Sequence, residues 1–107
     1  MMSGLPIDPI LRRFRAALAD LYGARLHRVV LYGSHARGEA QSDSDVNVAV
    51  FLDPLPDRWA ELDRLADLRV RFLDDDGVFF EARPFQKLVY DDLSPLMHEV
   101  RRDGIEF

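Results

Sequence analysis

An α/β domain, built on a mixed and twisted sheet with its helices packed mainly on one face, is the fold this sequence predicts. Residues 8–22 and 57–73 place apolar side chains three and four apart, the spacing of one helical face. Residues 28–32, 46–51 and 78–85 are apolar runs or alternations of strand length. A chain of 107 residues suits one domain with a real but small core.

Taken in order, Met1–Gly4 are expected to be frayed. Pro6 and Pro9 bracket Asp8, which reads as a helix cap with Pro9 in the first turn. That helix runs to about Tyr22, with Ile10, Phe14, Leu18 and Leu21 on its apolar face and Arg12, Arg13 and Arg15 toward solvent. Gly23 ends it. Arg25–Tyr32 forms the first strand, with Val29, Val30 and Leu31 as a buried run and His27 at the surface. Val46–Phe51 alternates as the second strand, and Asp53–Pro56 is a loop. Asp57 caps the second long helix, whose apolar seam is read as Trp59, Leu62, Leu65, Ala66, Val70 and Leu73. Asp74, Asp75 and Asp76 sit at its C-terminus, where the helix dipole disfavours negative charge. They read as a solvated turn and not as a metal site. Val78–Phe85 is the third strand, with Phe79, Glu81 and Arg83 on one face. Pro84 confines that strand to an edge or ends it. Gln86–Asp92 is a loop or one helical turn. Ser94 and Pro95 open a short helix to Arg102, and Ile105–Phe107 adds a last short strand after the turn at Gly104.

Composition excludes several classes. A net charge of -5, with no basic stripe and no aromatic–basic interleaving, argues against nucleic-acid binding. Cysteine is absent, so disulfide and thiol chemistry are excluded. No apolar run approaches membrane-spanning length, and the N-terminus lacks the charged-then-apolar pattern of a signal peptide. A cytoplasmic location is the resulting expectation.

The chemistry concentrates between Leu31 and Leu52. A buried strand runs into Gly33–Ser34, a polar segment follows, and Asp43–Asp45 leads into the next strand. Gly33 can take a positive φ and let a ligand approach the backbone. Ser34 offers a hydroxyl and an N–H to a phosphate, and Arg37 a guanidinium to triphosphate oxygens. Asp45 and Asn47 are two apart on a strand and share one face, while Val46, Val48 and Val50 take the other. Paired oxygen ligands of this kind suit Mg²⁺ shared with substrate phosphates. Asn47 either faces solvent or coordinates through its amide oxygen, with one formal negative charge fewer than a carboxylate. Asp43 and Ser44 read as turn caps, and no histidine pair has zinc spacing. The glycine spacing fails the dinucleotide-binding fingerprint, and no Gly-Lys-Ser/Thr makes a Walker loop.

The segment GSHARGEAQSDSDVN resembles the signature of the minimal nucleotidyltransferases within the DNA polymerase beta superfamily. That pattern is Gly-Ser, ten residues, then Asp-x-Asp. Gly33 and Ser34 match the opening pair, His35 to Ser44 are the ten, Asp45 matches the first metal-binding Asp, and Asn47 stands where the second belongs. Arg37 and Gly38 match a common Ala-Arg-Gly. The motif match covers about 25 residues, and the order of elements suits the family across nearly the whole chain, including a chain that ends as this one does. The resemblance implies a third carboxylate on a neighbouring strand acting as general base, and Glu81 is the well-placed candidate; the alternative for Glu81 is a surface ion pair.

Two functions remain open. The resemblance implies transfer of a nucleoside monophosphate, from ATP or another NTP with Mg²⁺ or Mn²⁺, to an acceptor carried by a partner protein or across a homodimer. Alternatively, the fold is an antitoxin-like binding module that neutralises a small all-helical partner, a reading Asn47 favours. Phe79, Phe80, Phe85, Leu88, Val89, Tyr90 and Phe107 are more large apolar residues than a domain of this size is expected to hide, so a homodimer or a stable complex is expected.

Overall fold

The computed structural model describes residues 8–41 and 44–107. The fraying expected of Met1–Gly4, the cap expected of the Asp8 side chain and the turn role of Asp43 lie outside the described residues.

The elements follow in the order α1 (Asp8–Tyr22), β1 (Leu26–Tyr32), α2 (Ser34–Arg37), β2 (Val46–Leu52), α3 (Arg58–Asp76), β3 (Phe80–Gln86), α4 (Pro95–Asp103) and β4 (Ile105–Glu106). Short 3₁₀ turns at Gly23–Arg25 and Lys87–Asp91 join α1 to β1 and follow β3. Caps fix the helix starts: the Asp57 carboxylate accepts from the Trp59 and Ala60 N–H groups, and the Ser94 hydroxyl from that of Met97.

Among the described residues the strands form one sheet in the order β3-β2-β1-β4. β1 runs antiparallel to both β2 and β4, and β2 runs parallel to β3. A parallel pair needs a crossover, and α3 supplies it. Pro84 sits in β3 at the sheet edge, where its missing N–H is tolerated.

Strand parity sorts the core into two layers. Val29, Leu31, Val46, Val48, Val50, Leu52, Phe80 and Ala82 face α1 and α3, where Phe14 stacks on Phe80 at 3.9 Å and Phe72 meets both rings edge-on. The opposite face carries Val30, Tyr32, Ala49, Phe51 and Phe85 under Met97 and Val100 of α4. The two long helices thus share one face, and among the described residues the short α4 and the second 3₁₀ turn cover the other.

Two expectations need correction. The buried seam of α3 is Glu61, Leu65, Leu68 and Phe72, while Trp59, Val70 and Leu73 are exposed. Apolar residues on α3 permit two phasings, and the one adopted brings Phe72 onto Phe14 and Phe80. It also buries a glutamate, held by Arg25 at 2.6 Å and Arg64 at 2.8 Å. Burial pushes the Glu61 carboxyl up, but hydrogen bonds from the two arginines outweigh it and leave the group below the ordinary glutamate value. The same phase slip on α1 replaces Leu21, which is exposed, by Leu11 and Tyr22.

The second correction concerns the C-terminal aromatics. Phe80 and Phe85 are buried, Val89 and Tyr90 pack on the second core layer, and Phe107 packs on the first. Of that group only Phe79 and Leu88 are exposed. The second layer, closed by α4, gives these side chains a home.

Candidate nucleotidyl-transfer site

β1 ends at Tyr32 and the chain turns at Gly33, with φ 80° and ψ -155°, a backbone conformation suited to glycine alone. The turn is tight against β2: a Cβ on Gly33 would lie 2.6 Å from Asn47 Nδ2. The glycine turn and the Asn47 side chain therefore meet, as the spacing of the two motifs requires.

α2 follows as a single turn. The Gly33 carbonyl accepts from the Ala36 and Arg37 N–H groups, each at 3.1 Å, and Gly38 closes the turn in a left-handed conformation. His35 of this turn meets Ser44, just before β2: its Nε2 lies 3.2 Å from the Ser44 carbonyl oxygen. The Gln41 N–H donates to the Ser44 hydroxyl at 2.9 Å, and the Ser44 N–H to the Gln41 carbonyl. His35 thus has a structural task, pinning the far end of the segment near its start. Asp45, exposed, follows directly and leads into β2.

Register completes the row. Asn47 pairs with Tyr32 on β1 and with Glu81 on β3. Partners in register share a face, so Tyr32, Asn47 and Glu81 stand side by side across three strands. Asp45 stands immediately before β2, and Gly33 borders Tyr32. Five of the six expected residues, Gly33, Ser34, Asp45, Asn47 and Glu81, are gathered at one end of the sheet by β1, β2 and β3. Glu81 is part-exposed, with Arg69 Nη2 approaching to 3.9 Å.

Arg37 behaves differently. Its Nε donates to Glu39 at 2.9 Å and its Nη1 to Glu99 of α4 at 3.1 Å. The guanidinium expected on triphosphate oxygens is here engaged by two carboxylates.

Tyr32 ends β1 and directly precedes the Gly33 turn. The ring does pack beneath α4, but its hydroxyl is buried and, among the described residues, has no hydrogen-bond partner. Burial pushes the phenol above its ordinary value, Arg83 opposes the shift, and Glu81 and Glu99 add to it. Glu99 and Arg83 thereby belong to the surroundings of the site. The signal in the sequence was that Tyr32 directly precedes Gly33.

A divalent metal is implied by the family resemblance. The candidate ligands Asp45, Asn47 and Glu81 offer only oxygen donors of the kind a hard cation takes. Among the described residues no three His, Cys, Asp or Glu side chains are grouped to hold a metal. Two carboxylates and one amide are fewer donors than a hard cation takes, so substrate phosphates would complete its shell.

Residues 11–101 match the family model described as a nucleotidyltransferase domain. Two Methanocaldococcus jannaschii proteins assigned as protein adenylyltransferases are similar. MJ0141 is 33% identical over 52 residues, 49% of this chain and 52% of that protein. MJ0604 is 29% identical over 75 residues, 70% of this chain and 69% of that protein. The match thus spans about half the length of the first. Among solved structures, a toxin-antitoxin with AMP-PNP superposes with a TM-score of 0.60 at 18% identity, over 88% of this chain and 69% of that one. A mutant of the toxin-antitoxin MntA-HpeT gives 0.62 at 16%, over 88% and 69%. These likenesses concern the fold. Among the described residues no helix is long and apolar enough to cross a membrane. With the family model covering all of β1, α2, β2, α3, β3 and most of α4, the chain belongs to the nucleotidyltransferase domain family.

Proposed function

We propose that the protein transfers a nucleoside monophosphate, AMP from ATP, to a hydroxyl carried by another chain. The observation that carries this reading is the register that sets Glu81 beside Asn47, with the Gly33 turn closed against the same asparagine. In the proposed reaction the Gly33–Ser34 turn binds the triphosphate, and Asp45 and Asn47 would hold the divalent cation. Bound there, Mg²⁺ or Mn²⁺ neutralises charge on the phosphates. Glu81 takes the proton of the acceptor hydroxyl as its oxygen bonds to the α-phosphorus. The bond from that phosphorus to the bridging oxygen breaks and pyrophosphate leaves. Most of the rate enhancement then comes from positioning and charge, which a short sheet-end site can supply.

The similar proteins assigned as protein adenylyltransferases support a protein acceptor, and the toxin-antitoxin neighbours support a partner chain, of which a small all-helical protein is our choice over a second copy. Trp59, Leu88 and Leu93 are largely exposed apolar side chains that such a partner could cover. A second reading, a binding module with little or no turnover, draws on Asn47 in place of a carboxylate and on Arg37 being engaged by Glu39 and Glu99. Titration with Mg²⁺–ATP tests the site. Binding by the wild type and an affinity about tenfold or more weaker in Ser34→Ala support it, since a hydrogen bond to a charged phosphate is worth about 1.5–3 kcal/mol. Equal affinities would remove Ser34 from the site.

A further inference from the structure

We propose that the Tyr32 hydroxyl is a positioning group of this site, which donates a hydrogen bond to Glu81 when metal and nucleotide enter and so aims that carboxylate along the row. The inference rests on the reading of Glu81 as the base.

Four observations carry it. Tyr32 is 5% exposed, and its hydroxyl has no hydrogen-bond partner among the described residues. A buried unpaired hydroxyl is unfavourable and needs a reason. Tyr32 and Glu81 flank Asn47 in register, two strands apart on the same face, and the intervening Asn47 and Ala49 are small enough to let a phenol lie across β2. Glu81 and Arg83 share that face on β3, and Glu99 lies on α4, which covers it. Arg83 has no lone pair to accept with. Among the described residues Glu99 accepts from Arg37 at 3.1 Å, whereas Glu81 has the 3.9 Å approach of Arg69, beyond hydrogen-bond range. Glu81 is therefore the less engaged of the two carboxylates, and the one in register with the row. Tyr32 also carries the peptide bond into Gly33, so any adjustment of the turn around a triphosphate reaches the phenol directly.

A phenol that only fills space and a phenol that aims a carboxylate differ in their coupling to Glu81. The test is a double-mutant cycle on the full chain, with Tyr32→Phe, Glu81→Ala and both together. Two quantities are measured: the thermal midpoint of the free protein, and the Kd for Mg²⁺ with a non-hydrolysable ATP analogue by calorimetry. The expected result has two parts. Tyr32→Phe does not lower the midpoint of the free protein, because the hydroxyl it removes is unpaired. The same change raises Kd about fivefold in the wild-type background and less than twofold when Glu81 is alanine. An equal rise in both backgrounds, no rise at all, or a free protein that melts several degrees lower would overturn the inference. A wild type that binds the analogue but never transfers AMP would overturn the transferase reading while leaving the measured coupling to decide the contact. A wild type that binds no nucleotide would overturn both.

Discussion

Asn47→Asp is the perturbation that reads the site most sharply. Asparagine and aspartate are nearly the same size, so the packing of the side chain against Gly33 is kept. What changes is one negative charge, set in register beside Glu81 and two residues from Asp45. Neighbouring strands lie roughly 5 Å apart. Over that distance two like charges repel by about 3 kcal/mol at an effective dielectric of 20 and by about 0.8 kcal/mol in water. Asn47 is half-buried, and Glu81 has a third of its side chain exposed, so the lower part of that range applies. We expect the free mutant to lose about 1 kcal/mol, or roughly 4–8 °C in Tm for a domain of this size. Mg²⁺ reverses the sign, because a cation favours both ionised carboxylates. By linkage, the gain in Tm on adding Mg²⁺–ATP should be larger in the mutant than in the wild type. Transfer to a supplied acceptor should rise in parallel. Paired thermal melts with and without Mg²⁺–ATP are the assay. If Asn47→Asp shifts neither the free midpoint nor the gain on adding ligand, no cation is held at Asn47 and the binding-module reading takes over.

Other positions give independent checks. Gly33→Ala combines a positive φ with a Cβ that would lie 2.6 Å from Asn47 Nδ2, so we expect a loss of about 1–3 kcal/mol and at least tenfold weaker nucleotide binding, measured by urea melts and calorimetry. In Gly104→Ala the new Cβ would run into the Val100 carbonyl oxygen and lie 2.5 Å from Val30 Cγ1 where α4 turns into β4. Overpacking there should lower stability by about 1–3 kcal/mol in urea melts. Glu61→Gln should lower stability at pH 7 by about 2 kcal/mol, less than for a wholly buried pair because Arg25 and Arg64 keep part of their exposure. The folded Glu61 carboxyl lies below its unfolded value, so its contribution is complete above about pH 4.3 and is lost as pH falls further. Urea melts at pH 7 and pH 3.5 should therefore show the gap between wild type and mutant shrinking in acid; a constant gap would refute the role of its charge.

Much of this fold was legible because local rules and tertiary structure agree. Asp57, Ser94 and Pro95 open their helices as caps and first-turn residues do, and Pro84 lies on an edge strand. The phase of α3 was not legible, since Trp59, Val70 and Leu73 look as apolar as Leu68 and Phe72 until Phe14 and Phe80 choose between the two faces. A buried Glu61 is hidden for a similar reason. Its partner Arg25 is 36 residues away, and periodicity alone sends a glutamate to solvent. At the site, parity put Asp45 with Asn47 and Glu81 with Arg83, but it could not say that Glu81 pairs with Asn47. That register is set across the nineteen-residue crossover helix. Neither could sequence show that Glu99, 62 positions away, engages Arg37, or that the Tyr32 hydroxyl has no hydrogen-bond partner among the described residues.

The central claim is that the sheet end at Gly33, Asp45, Asn47 and Glu81 performs nucleotidyl transfer. Asp45 is exposed, so Asp45→Ala should leave the fold intact while removing the full carboxylate among the proposed ligands on β2 and its lead-in. The direct measurement is incubation of wild type and Asp45→Ala with α-labelled ATP and Mg²⁺ or Mn²⁺, with and without candidate helical partner proteins. We predict label on the partner with the wild type and at least a hundredfold less with Asp45→Ala. Equal labelling by both proteins, or none by a wild type that forms a stable complex with its partner, would contradict it.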